Sequence, residues 1–332
     1  MYKLGICKSE NLGRVKTLLG KDRQISYSLL KMSSPVSAAA VTRFETVIRR
    51  AATSSGIART TYGSRFDDLD AVTQGVLQRL FHQNQRLEIY DLGASDALLS
   101  MQWADRVFDA FPWARMTASD IILHFTEATW AASGETYILE PDGTPIQYIK
   151  PPFVVSLARS EHPIYVLNAL VRRLALWRLK KWDLCREPVL WRGVPDSSVI
   201  NRGGWVFRQI PLVHPAVLSF ASTERFRVVE ADAFCPLPSP ADAIRAMNLY
   251  QTRVFPVARL RQGIRAVFDS IVEGGMFIAG KTVEGERPHN NVSIFQKVHG
   301  RFRILERLGK GFELEQLVLE TSLREASVLS TC

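Results

Sequence analysis

The chain has 332 residues, 46% of them hydrophobic, and a formal net charge of +9. That length and balance describe one elaborated globular domain or two, and exclude a fibrous or wholly disordered chain. No apolar run is long enough to span a bilayer, Met1 to Asp22 has no signal-peptide core, and the four scattered cysteines (Cys7, Cys185, Cys235, Cys332) lack metal-ligand spacing. A cytoplasmic protein with no metal site is therefore expected, and the positive charge admits nucleic acid, an anionic membrane surface or acidic substrates without choosing among them.

Residues 1–36 mix basic, polar and short apolar patches and read as an irregular or weakly helical arm. Helices are predicted over Ser37 to Ala52 and Asp67 to Asn84, the second from Leu69, Val72, Val76, Leu77, Leu80 and Phe81 at helical spacing. Both would pack beside a sheet that begins with a strand over Leu87 to Leu92. A helix over Ala97 to Phe111 and a strand over Ala114 to Ser119, ending at Asp120, come next. After a long interruption, strands are predicted over Arg225 to Ala231 and Ala241 to Met247, a helix over Arg253 to Ser270, and a Gly274-Gly275 turn into a strand over Met276 to Gly280. Short β patterns at Val292 to Gln296 and Phe302 to Leu308 would close the sheet as an antiparallel hairpin. The fold class expected is a doubly wound, mostly parallel Rossmann-like α/β sheet with N-terminal helices and a large insertion after the second strand. The corresponding domains are an N-terminal arm with helices over 1–84, an α/β domain over 85–120 and 206–320, and an inserted subdomain over 121–205.

Within the insertion, Thr136 to Ile149 predicts a β-hairpin around Pro141-Asp142-Gly143, since Asp-Gly supplies a positive-φ turn, and Pro151-Pro152 ends it. Ile164 to Trp182 predicts a helix with Leu167, Leu170, Val171, Leu174, Trp177 and Leu179 on a broad apolar face and Arg172, Arg173, Arg178, Lys180 and Lys181 towards its end. A lid packed on protein has this pattern, and so does an interfacial helix that meets anionic headgroups. An anionic membrane surface contacted through 164–182, with peripheral localisation, is the partner the second role implies.

In a doubly wound sheet, ligands lie outside the carboxyl ends of the strands, where Asp91, Asp120, Asp232 and Asn248 all fall. Asp120 can accept hydrogen bonds from ribose hydroxyls or cap a helix. Asp232-Ala233-Phe234 can face an adenine amine and ring or form a capped turn. The Leu87 to Ser100 stretch, LEIYDLGASDALLS, turns sharply at Asp91-Leu92-Gly93; Gly93-Ala94-Ser95-Asp96-Ala97 has one glycine, and Asp91 and Asp96 flank the turn. Those charges would repel a diphosphate and suit an ammonium or sulfonium group. His289, Asn290 and Asn291 read as a solvated turn before the hairpin.

The acidic-x-Gly pattern after the first strand resembles motif I of the Rossmann-like S-adenosylmethionine-dependent methyltransferases. In Ala241 to Thr282 the polar strand end, the helix and the Gly-Gly turn, with Arg245-x-x-Asn248, are similar to methyltransferases of chemotaxis-receptor type. The resemblance covers about Leu87 to Asp120 and Arg225 to Lys297 and does not extend to that family's receptor-recognition domain. It implies S-adenosyl-L-methionine as cofactor, with Asp91, Gly93, Ala94 and Ser95 bordering the methionine moiety, Asp120 the ribose, and Asp232 with Ala233 the adenine. Asn248 and Arg245 would face the methyl group or an unidentified acceptor; for Arg245, pairing with a nearby carboxylate is the competing role. The alternatives are a non-catalytic adenosine-binding or interaction protein on a degenerate methyltransferase fold, and an NAD-dependent oxidoreductase. No stacking motif or Asn/Asp-Pro-Pro-aromatic signature indicates a nucleic-acid acceptor.

Overall fold

Period-two and helical spacing of apolar residues divide the chain into two units of different construction: Met1–Thr61 with Ile122–Leu218, and Tyr62–Ile121 with Ser219–Cys332. The computed structural model describes residues 4–6, 16–17, 26–30, 38–48, 51, 53, 59, 63–150, 153–157, 166–181, 199–221, 223–285 and 288–321. In chain order the elements begin with β1 (Leu4–Ile6), β2 (Lys16–Thr17), α1 (Ala38–Ile48), α2 (Asp67–Leu80), β3 (Glu88–Leu92), α3 (Leu98–Ala110) and β4 (Arg115–Asp120). Next are β5 (His124–Trp130), β6 (Thr136–Leu139), β7 (Pro145–Lys150), β8 (Phe153–Ser156), α4 (Val166–Lys181), β9 (Val199–Arg202), β10 (Trp205–Pro211) and α5 (Pro215–Phe220). The chain continues with β11 (Phe226–Glu230), β12 (Ala241–Met247), α6 (Val257–Ser270), β13 (Ile271–Val283), β14 (His289–Val298), β15 (Arg301–Leu308) and α7 (Glu315–Glu320). Among the described residues no helix is long and apolar enough to cross a membrane.

The first unit is an eight-stranded antiparallel sheet in the order β2-β1-β8-β7-β6-β5-β10-β9. One cluster joins Ala128, Tyr137, Tyr148, Val155, Trp205 and Phe207 of the sheet to Ala175 and Leu179 of α4. Another joins Phe125, Ile138, Ile146 and Ile210 to Phe44, Val47 and Ile48 of α1. The hairpin expected around Asp142-Gly143 is present, with Gly143 at φ 87°. The rest of the expectation needs correction: the arm supplies two strands rather than an irregular segment, and they join the strands of the insertion in one sheet in which β5 pairs with β10 towards one edge. β5 is buried along most of its length, so it shows no apolar alternation to read. Pro151-Pro152, Ile164 and Trp182 lie outside the described residues.

The second unit carries the Rossmann-like sheet, in the order β11-β4-β3-β12-β13-β14-β15. β11, β4, β3, β12 and β13 are parallel, and β14 and β15 are added antiparallel as the expected hairpin. The chain builds outwards from β3 in both directions, to β4 and β11 on one side and to β12 and β13 on the other. This places the topological switch point between β3 and β12. α3 buries Leu99, Trp103, Ala104 and Val107 at helical spacing. α6 buries Leu260, Ile264, Val267 and Phe268 into a core with Tyr90, Tyr250, Phe277 and Phe295. At Gly263 a Cβ would stand 2.6 Å from Tyr250 and 2.8 Å from Phe234, so only glycine admits this approach. The Gly274-Gly275 pair does not precede β13 but lies within it: Ala241 pairs with Ile271 and Ala243 with Met276, a bulge in which Gly274 takes φ +83°. α1 and α2, both expected to pack beside the sheet that begins with β3, belong to different units. Where the sequence reading sets limits after 84, 120 and 205, the two units divide after 61, 121 and 218.

Candidate functional site

The switch point brings the loop after β3 and the segment after β12 together at the carboxyl ends of the parallel strands. In the first of these, Gly93, Ser95 and Ala97 take φ of 70°, 58° and 61°. Every second residue is thus left-handed, a backbone that favours glycine and that two of the three positions hold with a side chain attached. Counting glycines in the sequence misses this. The conformation is held from inside: Ala94 N–H donates to the Ser119 carbonyl at 2.9 Å, and Ala97 N–H to the Ala94 carbonyl at 2.9 Å. Ser95 N–H donates to Asp120 Oδ2 at 2.8 Å, and Leu98 N–H to Asp96 Oδ1 at 3.2 Å. Four loop amides are therefore turned into the protein. Leu249, just after β12, lies over Gly93, 3.2 Å from where its Cβ would be.

Asp91 does not face this crevice. It is buried, accepts Nε and Nη2 of Arg245 at 3.0 and 2.6 Å, and accepts the Ser100 hydroxyl at 2.6 Å. Arg245 also donates to Asp70 Oδ1 at 2.9 Å and the Leu99 carbonyl at 3.3 Å, and its guanidinium lies 4.2 Å from the Trp103 ring centroid. At zero exposure Arg245 cannot touch an acceptor, so its catalytic assignment and the methionine-binding assignment of Asp91 are both corrected to one buried ion cluster. The register explains it, because Arg245 stands directly opposite Asp91 in the β12–β3 pairing. Burial pushes the Asp70 carboxyl up to about 6 against the lowering effects of Arg245 and Arg106.

The remaining strand ends are also tied internally. Asp232 accepts the Phe234 amide at 2.9 Å and Arg259 Nη2 at 2.7 Å, the capped turn that was the competing reading. Phe234 is buried against Tyr250 and Phe255, and the Ala233 carbonyl accepts the Tyr250 hydroxyl at 2.6 Å. Desolvation raises the Tyr250 hydroxyl far above the ordinary phenol range. Asn248 sits at φ 58°; its Oδ1 accepts Thr282 N–H at 2.8 Å and its Nδ2 reaches Thr282 Oγ1 at 3.4 Å. Thr282 in turn donates to Asn290 Oδ1 at 2.9 Å, and Asn290 donates to Asp68 Oδ1 at 2.7 Å. Asn290 and Asn291 are thus buried in β14 rather than in a solvated turn, while His289 is exposed.

The structure therefore brings Gly93, Ala94, Ser95 and Asp120 together at the loop after β3, with Leu249 over Gly93 and Asn248 tied to Thr282 at the end of β12, and draws Asp91 and Arg245 into the core. Leu249 and Thr282 were not read from the sequence as part of this region. A separate groove of about 700 Å³ between α2 and α3 is lined by Asp70, Gln74, Gln78, Asn84, Arg106 and Asp109. It reaches the residues just before β3 and β4, away from the crevice. Among the described residues no group of three or more His, Cys, Asp or Glu could hold a metal ion. Cys235 is a half-buried thiol, and the other cysteines lie outside the described residues.

No protein-family model matches the chain, and no curated protein matches it. Solved structures similar to it are S-adenosylmethionine-dependent methyltransferases. The sugar N-methyltransferase KedS8 from Streptoalloteichus is 11% identical, with 77% of each chain covered and a TM-score of 0.30. The methyltransferase SibL is 13% identical over 66% of this chain and 38% of its own, at a TM-score of 0.26. The O-methyltransferase NcsB1, solved with S-adenosylmethionine and a naphthoic acid, is 12% identical over 65% of this chain and 40% of its own, at 0.25. The chain thus spans well under half the length of SibL and NcsB1. At these TM-scores the functional reading rests on the chain's own strand order and side chains.

Proposed function

We propose that the Rossmann-like unit binds S-adenosylmethionine over the Gly93 to Ala97 loop and transfers its methyl group to an acceptor not yet identified. The observation that carries this reading is the loop itself: alternate left-handed residues at the switch point, amides turned inwards, and Asp120 anchored to the Ser95 amide. With Asp91 neutralised by Arg245 and Asp96 buried beneath the Leu98 amide, Asp120 is the half-buried acid at the loop, which suits a ligand carrying ammonium and sulfonium charge and opposes a diphosphate. Gly93, Ala94 and Ser95 would border the methionine end, Asp120 the ribose hydroxyls, and Ala233 the adenine. The bound sulfonium supplies an electrophilic methyl group, so the protein has chiefly to orient the acceptor and exclude water. Asn248, pinned by Thr282, serves in positioning rather than in proton transfer.

A second reading is adenosine binding without methyl transfer. It is favoured by the internal engagement of Asn248 and Arg245, the two side chains expected to meet the acceptor. Calorimetric titration of the full chain with S-adenosylmethionine and with its demethylated product tests both. Saturable binding of both ligands supports the site; binding of neither, or of NAD instead, overturns it. Release of demethylated product during incubation with extract fractions separates the enzyme from the binding protein.

A further inference from the structure

In the first unit, α4 is fixed by one face, and another is left uncovered among the described residues. Ala175 and Leu179 are buried, the Ala175 carbonyl accepts the Tyr137 hydroxyl at 3.2 Å, and Arg178 pairs with the buried Glu135. The opposite face is apolar where a helix that merely covers a sheet would be polar. Leu170, Leu174 and Trp177 are 58%, 49% and 59% exposed and share one stripe with Lys181 at spacings of four, three and four residues. The Lys181 ammonium stands 5.4 Å from the Trp177 ring centroid, and Arg173 and Lys180 are exposed along the stripe's edge. The helix contains no acidic residue. Phe153 of β8, a strand on which α4 packs, is also 40% exposed beside exposed Lys150.

An exposed Leu-Leu-Trp stripe on a helix whose charged residues are all cations is complementary to one kind of surface: apolar beneath, anionic on top. We propose that this face of α4 docks on an anionic lipid bilayer, with Leu170, Leu174 and Trp177 entering the headgroup boundary and Arg173, Lys180 and Lys181 meeting the phosphates. Arg178 takes no part, because Glu135 holds it.

The test is co-sedimentation of the full chain with vesicles of phosphatidylcholine alone and with about a quarter phosphatidylserine. Binding is expected only to the anionic vesicles and should weaken steeply with salt. Replacing Arg173, Lys180 and Lys181 with Gln should weaken partitioning roughly a hundredfold, and Leu174→Gln with Trp177→Gln should also reduce it; unchanged circular dichroism would verify folding. Absence of sedimentation of the wild-type chain, equal binding to neutral vesicles, or indifference to the three Gln substitutions would overturn the proposal. So would a wild-type dimer in sedimentation velocity that Leu174→Gln and Trp177→Gln dissociate, since a second copy would then cover the face.

Discussion

Replacing Arg245 with Met should cost about 3–5 kcal/mol of stability at pH 7, because it strands two buried carboxylates that share one counter-ion. Met keeps most of the volume between Trp103 and Phe66, so the loss is electrostatic rather than a cavity. The pH dependence has a defined sign. Asp70 has a folded value of about 6, raised by burial above the ordinary carboxylate value of 3.8, so its titration favours folding fully below the lower value, and that contribution is lost as pH rises through 6. Without Arg245 the native value rises further. At pH 5 Asp70 is largely neutral with or without Arg245, so its share of the loss falls away and the loss should shrink by about 1–2 kcal/mol. The chain has two units, so a global melt is ambiguous. Hydrogen exchange of peptides covering β3 and β12 reads the Rossmann-like unit directly. A loss below about 1 kcal/mol at pH 7, or an equal loss at both pH values, would refute the ion cluster as a determinant of this core.

Asp120→Asn keeps an acceptor for the Ser95 amide but removes the charge, so S-adenosylmethionine should bind about tenfold more weakly in calorimetry while the melting temperature barely moves. Gly263→Ala gains helix propensity but drives a methyl into Tyr250 and Phe234; a net loss of about 1–2 kcal/mol is expected in urea unfolding, and a neutral result would mean that these rings yield easily. For Ala97→Gly, relief of a left-handed alanine, about 1–2 kcal/mol, is set against loss of a buried methyl, about 0.8 kcal/mol, so stability should change little or rise slightly. Ala97→Val, branched at positive φ with no exposed surface, should lose more than about 2 kcal/mol by the same measurement.

The parallel sheet was legible because its strands sit between helices whose apolar spacing is unmistakable; β12 falls on the residues predicted for it, Ala241 to Met247, and the closing hairpin lies where its alternation placed it. The antiparallel unit was not. β1 and β2 are three and two residues long, too short to show a period, and β5 is apolar or buried on both faces. At the crevice, sequence pattern located the strand ends but not the company they keep. Asp91 and Arg245 are 154 residues apart, and their pairing follows only once β12 is known to lie beside β3, when the two positions fall opposite each other. Ser95 and Ala97 hide a glycine-type backbone beneath ordinary side chains, visible only as φ.

This pairing changes where the specificity of the crevice must come from. An acid at the end of the first strand looks, in sequence, like the group that would attract a cationic ligand, yet Asp91 spends its charge on Arg245 inside the core. Its substitution should therefore disturb stability before affinity. Asp120 is half-buried, at the end of the neighbouring strand, and shapes the loop through the Ser95 amide at 2.8 Å. It couples the loop's backbone to a carboxylate at the crevice, so loop conformation and ligand charge are read by one residue. If the proposed sulfonium ligand binds here, its preference over a dinucleotide should depend on Asp120 together with the internally bonded amides of Ala94, Ser95, Ala97 and Leu98, which leave a diphosphate with repulsion and few donors.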